Sequence, residues 1–300
     1  MKFSAWPRTS NPWPEVLDEA RHVAATGYQG LWIADHFMPN ARDNSGPTQE
    51  VWTVLAALAA VVPGVRLGSL VAGNTYRNPA VLAKQVAQVD VISDGRLILG
   101  LGAGWQENEH VAYGIPYYTV GGRLRRLEES VQVIRGLLDN ERTTFEGRYY
   151  QIKDAPLAPK PAQRHLPILI GGGGEKVTMR IAATYADEWN IWGSASTLAR
   201  KGAILEQHCE AAGRDPATIK RSAQVLVAIG ADSKAAERAS AIGMPTLSGS
   251  LEEVRDAIGR YVDSKVDEFI LPDWNLGDSL QERKEGYDRF MQDVASLYMK

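Results

Sequence analysis

The chain has 300 residues, 44% of them apolar and 23% charged, an ordinary globular composition with enough material for one large α/β domain. A formal net charge of -3 gives no long-range attraction for nucleic acid or anionic lipid, so the expected partner is a small molecule, and an anionic one must be held by local cations and backbone amides. The single cysteine, Cys209, excludes an intramolecular disulfide and a cysteine-rich zinc site; with no signal-peptide apolar region at Met1 to Pro7 and no apolar run of about 18 residues, a cytoplasmic protein is expected.

Phe3 to Trp6 reads as a first strand. Pro14 falls where a helix begins and Gly27 where it ends, with Val16, Leu17, Ala20, Val23 and Ala24 on one face, so the chain opens with a βα unit. Gly30 to Phe37 is an apolar run too short for a helix and reads as a buried parallel strand that ends in Asp35 and His36. A polar loop, Asn40 to Gln49, precedes Val51 to Val62, which is apolar all round. A helix without a polar face must be covered on both sides, and a second subunit is the simplest outer cover, so a homodimer through this helix is expected.

Val65 to Val71 is the third strand, Asn78-Pro79 caps a helix running to Ile92, and Arg96 to Gly102 is the fourth strand. A long amphipathic helix, 121–140, is followed by Thr143 to Tyr150, whose Glu146-Gly147 between two β-prone triplets suggests a hairpin. Pro156, Pro159, Pro161 and Pro167 lead to the fifth strand, Ile168 to Ile170, so that residues 141–166 read as an insertion. Glu188 to Ile191, Ala223 to Ile229 and Glu268 to Leu271 supply strands six to eight; Ser250 with Glu253 forms a capping box, and Ser279 to Leu297 closes the chain. Eight strands alternating with helices across a single domain, 1–300, predict an α/β fold of the (β/α)8 TIM barrel type, with a doubly wound open sheet as the competitor.

In either architecture ligands sit at the carboxyl ends of the strands, which makes the residues at those ends the candidates for chemistry. His36 can act as general acid or base with Asp35 tuning it, or be a structural strand-end histidine. Leu70-Val71-Ala72-Gly73 ends the third strand in a way that suggests a bulge against which a planar ligand lies, or a simple turn. Gly100, Gly102 and Gly104 leave room either for a flat ring walled by Trp105 or for close packing of strand on helix. Gly171 to Gly174 precede a helix opening at Glu175 and can cradle a phosphate, with Lys176 as a cation that tolerates its place in a helix's first turn when an anion is bound; the plainer reading is a flexible turn. Asp273 and Trp274 are further rim residues, and His22, His110, His165 and His208 show no metal-ligand spacing, so no metal is expected.

Taken in order, Trp32-Ile33-Ala34-Asp35-His36, Arg77-Asn78-Pro79, Ser93-Asp94-Gly95-Arg96 running into Gly100-Leu101-Gly102-Ala103-Gly104-Trp105, Phe145-Glu146-Gly147, Pro159-Lys160-Pro161 and Ile170 to Thr178 resemble the luciferase-like flavin and deazaflavin oxidoreductases across nearly the whole chain. The glycine motifs look most like the branch that uses coenzyme F420, a deazaflavin with a phosphate and an acidic tail. The resemblance implies a (β/α)8 barrel and an oxidoreductase that passes hydride between F420 and a small organic substrate. It places the ring against a non-prolyl cis peptide near Leu70, Val71 and Ala72, and the phosphate on Gly171 to Gly174. Gly102, Ala103, Gly104, Trp105, Asn108, Glu175 and Lys176 fall beside the coenzyme and Asp35 and His36 on the ring and substrate side, while Lys160, Arg164, Lys176 and Arg180 are candidates for the tail by charge and position alone. The sugar-phosphate dehydrogenase members carry a glutamate acid where this chain has Trp105, which leaves Glu109 as an alternative acid. An FMN-dependent two-component monooxygenase and a non-catalytic flavin carrier are the other readings of the same scaffold.

Overall fold

A computed structural model describes residues 1–230 and 233–299. In chain order the elements are β1 (Lys2–Trp6), α1 (Trp13–Ala25), β2 (Gly30–Ile33), α2 (Val51–Val61), β3 (Arg66–Ser69), β4 (Ala72–Gly73), α3 (Pro79–Ile92), β5 (Leu97–Gly102), α4 (Glu107–Tyr113) and α5 (Val120–Asp139). Next come β6 (Arg142–Glu146), β7 (Gln151–Pro156), β8 (Ile168–Gly171), α6 (Thr178–Tyr185), β9 (Glu188–Trp192), α7 (Ala195–Ala211), β10 (Lys220–Gln224) and β11 (Leu226–Ile229). The last are α8 (Ser233–Ile242), β12 (Thr246–Gly249), α9 (Leu251–Asp263), β13 (Glu268–Pro272) and α10 (Leu280–Asp293).

Eight of the strands run parallel and close on themselves in the order β3-β2-β1-β13-β10-β9-β8-β5, with β5 pairing back to β3. The doubly wound alternative is thereby excluded. Each strand is short and buried on both faces, as Leu97–Gly102 shows with all of its residues inside, because helices cover the outer face and side chains fill the interior. Inside the barrel Trp32, Leu70, Ile98, Leu169 and Ile270 form a separate apolar cluster capped by Trp6.

The amino end of the barrel is closed by charge. Arg66 lies 2.7 Å from Glu188, 3.6 Å from Glu268 and over the Trp32 ring, whose Nε1 donates to Glu268 at 2.9 Å. Gly68 is obligatory here, since a Cβ would stand 2.4 Å from the Trp32 ring. With this end plugged, the carboxyl end is the barrel's accessible mouth.

Four local expectations need correction. The third strand is two pieces, β3 and β4, divided at Leu70-Val71, and β4 pairs only with β5. The apolar run expected as one seventh strand breaks at Val225: β10 stays in the barrel, while β11 leaves it to pair in parallel with β12, a strand the sequence did not advertise. In the insertion β6 pairs antiparallel with β7, so Tyr149 and Tyr150 occupy the turn and not the return strand. Finally, α2 buries most of its apolar surface within its own chain: Val51, Trp52, Val54, Leu55, Leu58 and Ala59 are buried, leaving mainly Ala56, Ala57, Ala60 and Val61 facing outward.

Helix α1 is bound to α10 through a buried charge cluster. Arg283 reaches Glu19 at 2.9 Å, Glu15 at 2.8 Å and Asp273 at 3.4 Å, while Glu19 Oε1 and Asp273 Oδ1 receive no donor from a third residue and the two carboxyls meet each other. Burial, with Asp273 beside it, pushes the Glu19 carboxyl up to about 8 against the pull of Arg283, and burial raises Asp273 as well. The folded chain therefore holds a proton that the unfolded chain releases above the ordinary carboxyl range, so the stability it contributes is present at acid pH and lost as pH rises toward about 8. Urea midpoints should fall across this window, and Glu19→Gln, which cannot ionise, should flatten the decline; a wild-type midpoint that rises instead contradicts the assignment.

Candidate active site

The mouth is built on the segment directly after β2. Asp35 is only 1% exposed, and both of its oxygens are taken by Arg77, at 2.6 and 3.2 Å, with the Gly73 amide adding a third bond at 3.1 Å. Arg77 continues to Glu50 at 2.7 Å, the residue that caps α2. Burial raises the Asp35 carboxyl, while Arg77 and the Gly73 amide oppose that shift. Asp35 thus ties β2, β4 and the start of α2 together through both of its oxygens.

His36, the next residue, points the opposite way and keeps its side chain about a quarter exposed, at 25%. Its Nδ1 lies 2.9 Å from Glu109 Oε1; the same carboxylate accepts the Phe37 amide at 2.7 Å and the Tyr76 hydroxyl. Burial would push Glu109 up, but the bonds from His36, Phe37 and Tyr76 more than offset it and hold the group below the ordinary glutamate range. Glu109 is accordingly a buried group behind His36, set back from the rim. A carboxylate on Nδ1 fixes that nitrogen as the protonated one and leaves Nε2, without a partner among the described residues, to exchange a proton. Trp105 stands 57% exposed on the rim with its ring edge-on to His36, centroids 5.4 Å apart.

Helix α4, which carries Glu109, is latched down at both sides. Asn108 donates to the Pro39 carbonyl at 3.0 Å and accepts from the Glu109 amide. His110 meets Thr75 Oγ1 at 2.7 Å and the Gln106 carbonyl at 2.6 Å. Gly104 lets Thr75 come so close, since a Cβ there would lie 2.6 Å from its hydroxyl.

The Leu70-Val71 peptide is cis and non-prolyl, within the neighbourhood the sequence indicated. Leu70 and Ala72 turn inward, while Val71 is held partly exposed at the mouth by glycines of two neighbouring strands: a Cβ on Gly102 would stand 2.7 Å from its Cγ2, and one on Gly171 2.8 Å from its Cγ1. Gly100 faces the Ser69 carbonyl, 1.9 Å from where its Cβ would be. The glycines of β5 therefore serve close packing around Val71, which is left partly exposed.

Beyond β8, Gly172 donates its amide to the Asn190 carbonyl and accepts from Trp189 Nε1, whereas the amides of Gly173 and Gly174 donate to no carbonyl among the described residues. Helix α6 begins at Thr178, so Glu175 and Lys176 lie in the turn ahead of it, and the expected first-turn placement of Lys176 does not hold. The cations at this loop come from α7: Lys201 Nζ reaches the Gly173 carbonyl at 2.5 Å and Glu175 at 3.1 Å, and Arg200 reaches Glu175 at 2.9 Å. Glu175 is bound to these two, while Lys176 is exposed. Of the tail candidates, Lys160 caps the carbonyls of Leu137 and Asn140 at the end of α5, Arg164 precedes β8 at the barrel's amino end, and Arg180 pairs with Glu128. None of these three faces the mouth with a free charge.

Trp6, Trp192 and Trp274 contact one another at the mouth with centroids 4.9 to 5.7 Å apart. Sequence reasoning missed Tyr76, Arg77, Glu50, Arg200 and Lys201 as parts of the site; only Arg77 had a local signal, its place directly before Asn78-Pro79.

This geometry agrees with the relationships the chain has to known proteins. The sequence model of the luciferase-like monooxygenases matches residues 1–249, and the chain belongs to that family. An F420-dependent hydroxymycolic acid dehydrogenase of Mycobacterium tuberculosis is 30% identical over 264 residues, 87% of this chain and 72% of that protein. An F420-dependent glucose-6-phosphate dehydrogenase of Kineococcus radiotolerans is 34% identical over 223 residues, 73% of this chain and 65% of that protein. A solved F420-dependent secondary alcohol dehydrogenase in complex with an F420-acetone adduct shares the fold, with a TM-score of 0.83 over 100% of both chains at 20% identity.

The Asp35-Arg77 pair makes a sharp prediction about the site's framework. Arg77→Met leaves a buried carboxylate without its cation, which should destabilise the protein by about 3 kcal/mol; a loss below about 1 kcal/mol in urea unfolding would show that Asp35 does not depend on it.

Proposed function

We propose that the protein is an F420-dependent oxidoreductase that transfers hydride between the deazaflavin and a small organic substrate. The observation that carries this reading is the mouth itself: His36, backed by the Glu109 carboxylate, stands on the rim with Nε2 presented, at the same barrel end as the Val71 protrusion. The relatives named above as F420-dependent support the choice of coenzyme. The residues present also fit such a group: a seat above Val71 bounded by glycines, and unpaired amides at Gly173 and Gly174 with Lys201 and Arg200 beside them for a phosphate.

When bound, the deazaflavin supplies a two-electron hydride carrier that reacts poorly with oxygen. The chain supplies position and a proton. Val71 offers a flat apolar support for a ring, and Gly102 and Gly171 keep that support from being covered. His36 Nε2 donates a proton to a substrate oxygen in reduction or removes it in oxidation, and Glu109, itself held by the Tyr76 hydroxyl, fixes the imidazole's orientation and compensates its positive charge while it carries the proton. Trp6, Trp192 and Trp274 give the mouth an apolar wall.

His36→Ala should lower turnover by roughly 10²- to 10⁴-fold while coenzyme affinity stays within about threefold. Glu109→Gln, which removes the anion behind the imidazole, should in addition shift the pH profile of kcat. Unchanged turnover in H36A, followed as loss of the oxidised chromophore's absorbance with a panel of alcohols and as its gain when the reduced coenzyme is given carbonyl compounds, would remove His36 from the mechanism.

The chain is further proposed to work as a homodimer through the outward stripe of α2, where Ala56, Ala57, Ala60 and Val61 join Val81 on neighbouring α3 as small, uncharged surface. Ala57→Glu should turn the dimer into a monomer in light scattering; a wild-type monomer would refute the interface.

A further inference from the structure

The face of the molecule between the end of β4, the start of α5 and the turn of the β6–β7 hairpin carries a cluster of arginines without ion-pair partners among the described residues. Arg123, Arg125, Arg126 and Arg148 gather here, and none of them ion-pairs with a carboxylate among the described residues, in contrast to neighbouring Arg135, Arg142 and Arg180. They are held by aromatic faces instead. Arg126 stacks over Tyr118 at 3.7 Å and Tyr149 at 4.4 Å, Arg123 over Tyr117 at 4.2 Å, and Arg148 over Tyr149 at 5.5 Å. Arg125 donates to the Tyr149 hydroxyl at 3.1 Å.

Of the nearby carboxylates, the exposed Glu146 makes no ion pair with these arginines among the described residues, and the other two are committed. Glu128 holds Arg180 with both oxygens, and Glu129 accepts the amides of Arg148, Tyr149 and Tyr150. A second, independent sign of a ligand lies at the inner edge of the patch. Asn74 is 2% exposed, and its side-chain amide has only the nearby Tyr150 hydroxyl to meet among the described residues; the Nε atoms of Arg123 and Arg126 are buried and unpaired. Buried polar groups left unsatisfied in this way are costly, and several in one place mark a surface completed by something else. The Tyr149 phenol reports the resulting potential: the bond from Arg125, then the charges of Arg125, Arg148 and Arg126, draw it below the ordinary tyrosine value.

These groups form a path. Asn74 donates its backbone amide to the Gly102 carbonyl, beside the seat of Val71; the Tyr150 hydroxyl lies next to Asn74 and Arg126; and Arg125 and Arg148 continue outward to the exposed surface. We propose that this arginine–tyrosine patch binds the polycarboxylate tail of the coenzyme as it leaves the mouth, in place of Lys160, Arg164 and Arg180, whose charges are engaged or lie elsewhere. Planar guanidiniums already ordered by stacking lose little freedom on meeting carboxylates, which suits them to bidentate recognition. The assignment rests on the F420 reading of the mouth.

Its test is a tryptophan-quenching titration of the purified chain with F420 and with the same coenzyme from which the acidic tail has been removed, each at low and high salt, for wild type and Arg125→Gln/Arg148→Gln. Both replaced residues are exposed, so the fold should survive. The wild type is expected to bind the intact coenzyme about tenfold more tightly than the trimmed one, with the advantage shrinking as salt rises, and the double variant to lose that advantage while holding the trimmed form as before. Equal affinity of the wild type for both forms would overturn the patch and leave the cofactor reading standing, as would an unchanged advantage in the variant or an equal loss for both forms. Binding of neither form to the wild type would overturn the cofactor reading itself, and the patch with it.

Discussion

Asp35 is a carboxylate taken almost wholly out of water, and it is tolerable there only because Arg77 and the Gly73 amide meet both of its oxygens. Much of the mouth depends on that pairing. The pair joins the end of β2 to β4 and, through Glu50, to the first turn of α2, so three segments distant in sequence are brought into one register. With Asp35 anchored inward, His36 is delivered outward onto the rim, where α4 brings Glu109 to its Nδ1. The charged group that sequence inspection would nominate for chemistry thus acts by placing its neighbour.

A comparable constraint governs Val71. Side chains on Gly102 or Gly171 would fill the space around it, so two strands give up their Cβ atoms to let one valine protrude at the mouth. Glycines that resemble a nucleotide fingerprint in the sequence are here a steric allowance for a neighbouring strand. In a separate loop the amides of Gly173 and Gly174 meet no carbonyl among the described residues, and the cations beside them arrive from α7. Apolar support and anion site are in this way built from different elements around one end of the barrel, while Arg66, Glu188 and Glu268 close the other.

The barrel was legible in the sequence because each of its strands is a brief, doubly buried apolar run bounded by turn residues, and the residues at those ends, Asp35, His36 and the Gly171 loop, were legible with it. Signals failed where one local pattern served two purposes. Ala223 to Ile229 is continuously apolar, so nothing local marks the break at which β11 leaves the barrel for β12. Lys160 and Arg180 looked available as charges, and only the fold shows them capping α5 and pairing with Glu128. Glu109 in sequence is a glutamate among acidic helix residues; its burial beneath His36, and hence its depressed proton affinity, arises from contacts across 73 positions. Arg200 and Lys201 were invisible for the same reason.

The central claim is that this mouth receives a deazaflavin, and the direct measurement is a competitive equilibrium titration of the purified chain with F420 and FMN, read by quenching of its tryptophan fluorescence. The account predicts saturable binding of F420 that FMN displaces only at large excess. Preferential binding of FMN would contradict it and move the chemistry of His36 to an oxygen-dependent reaction.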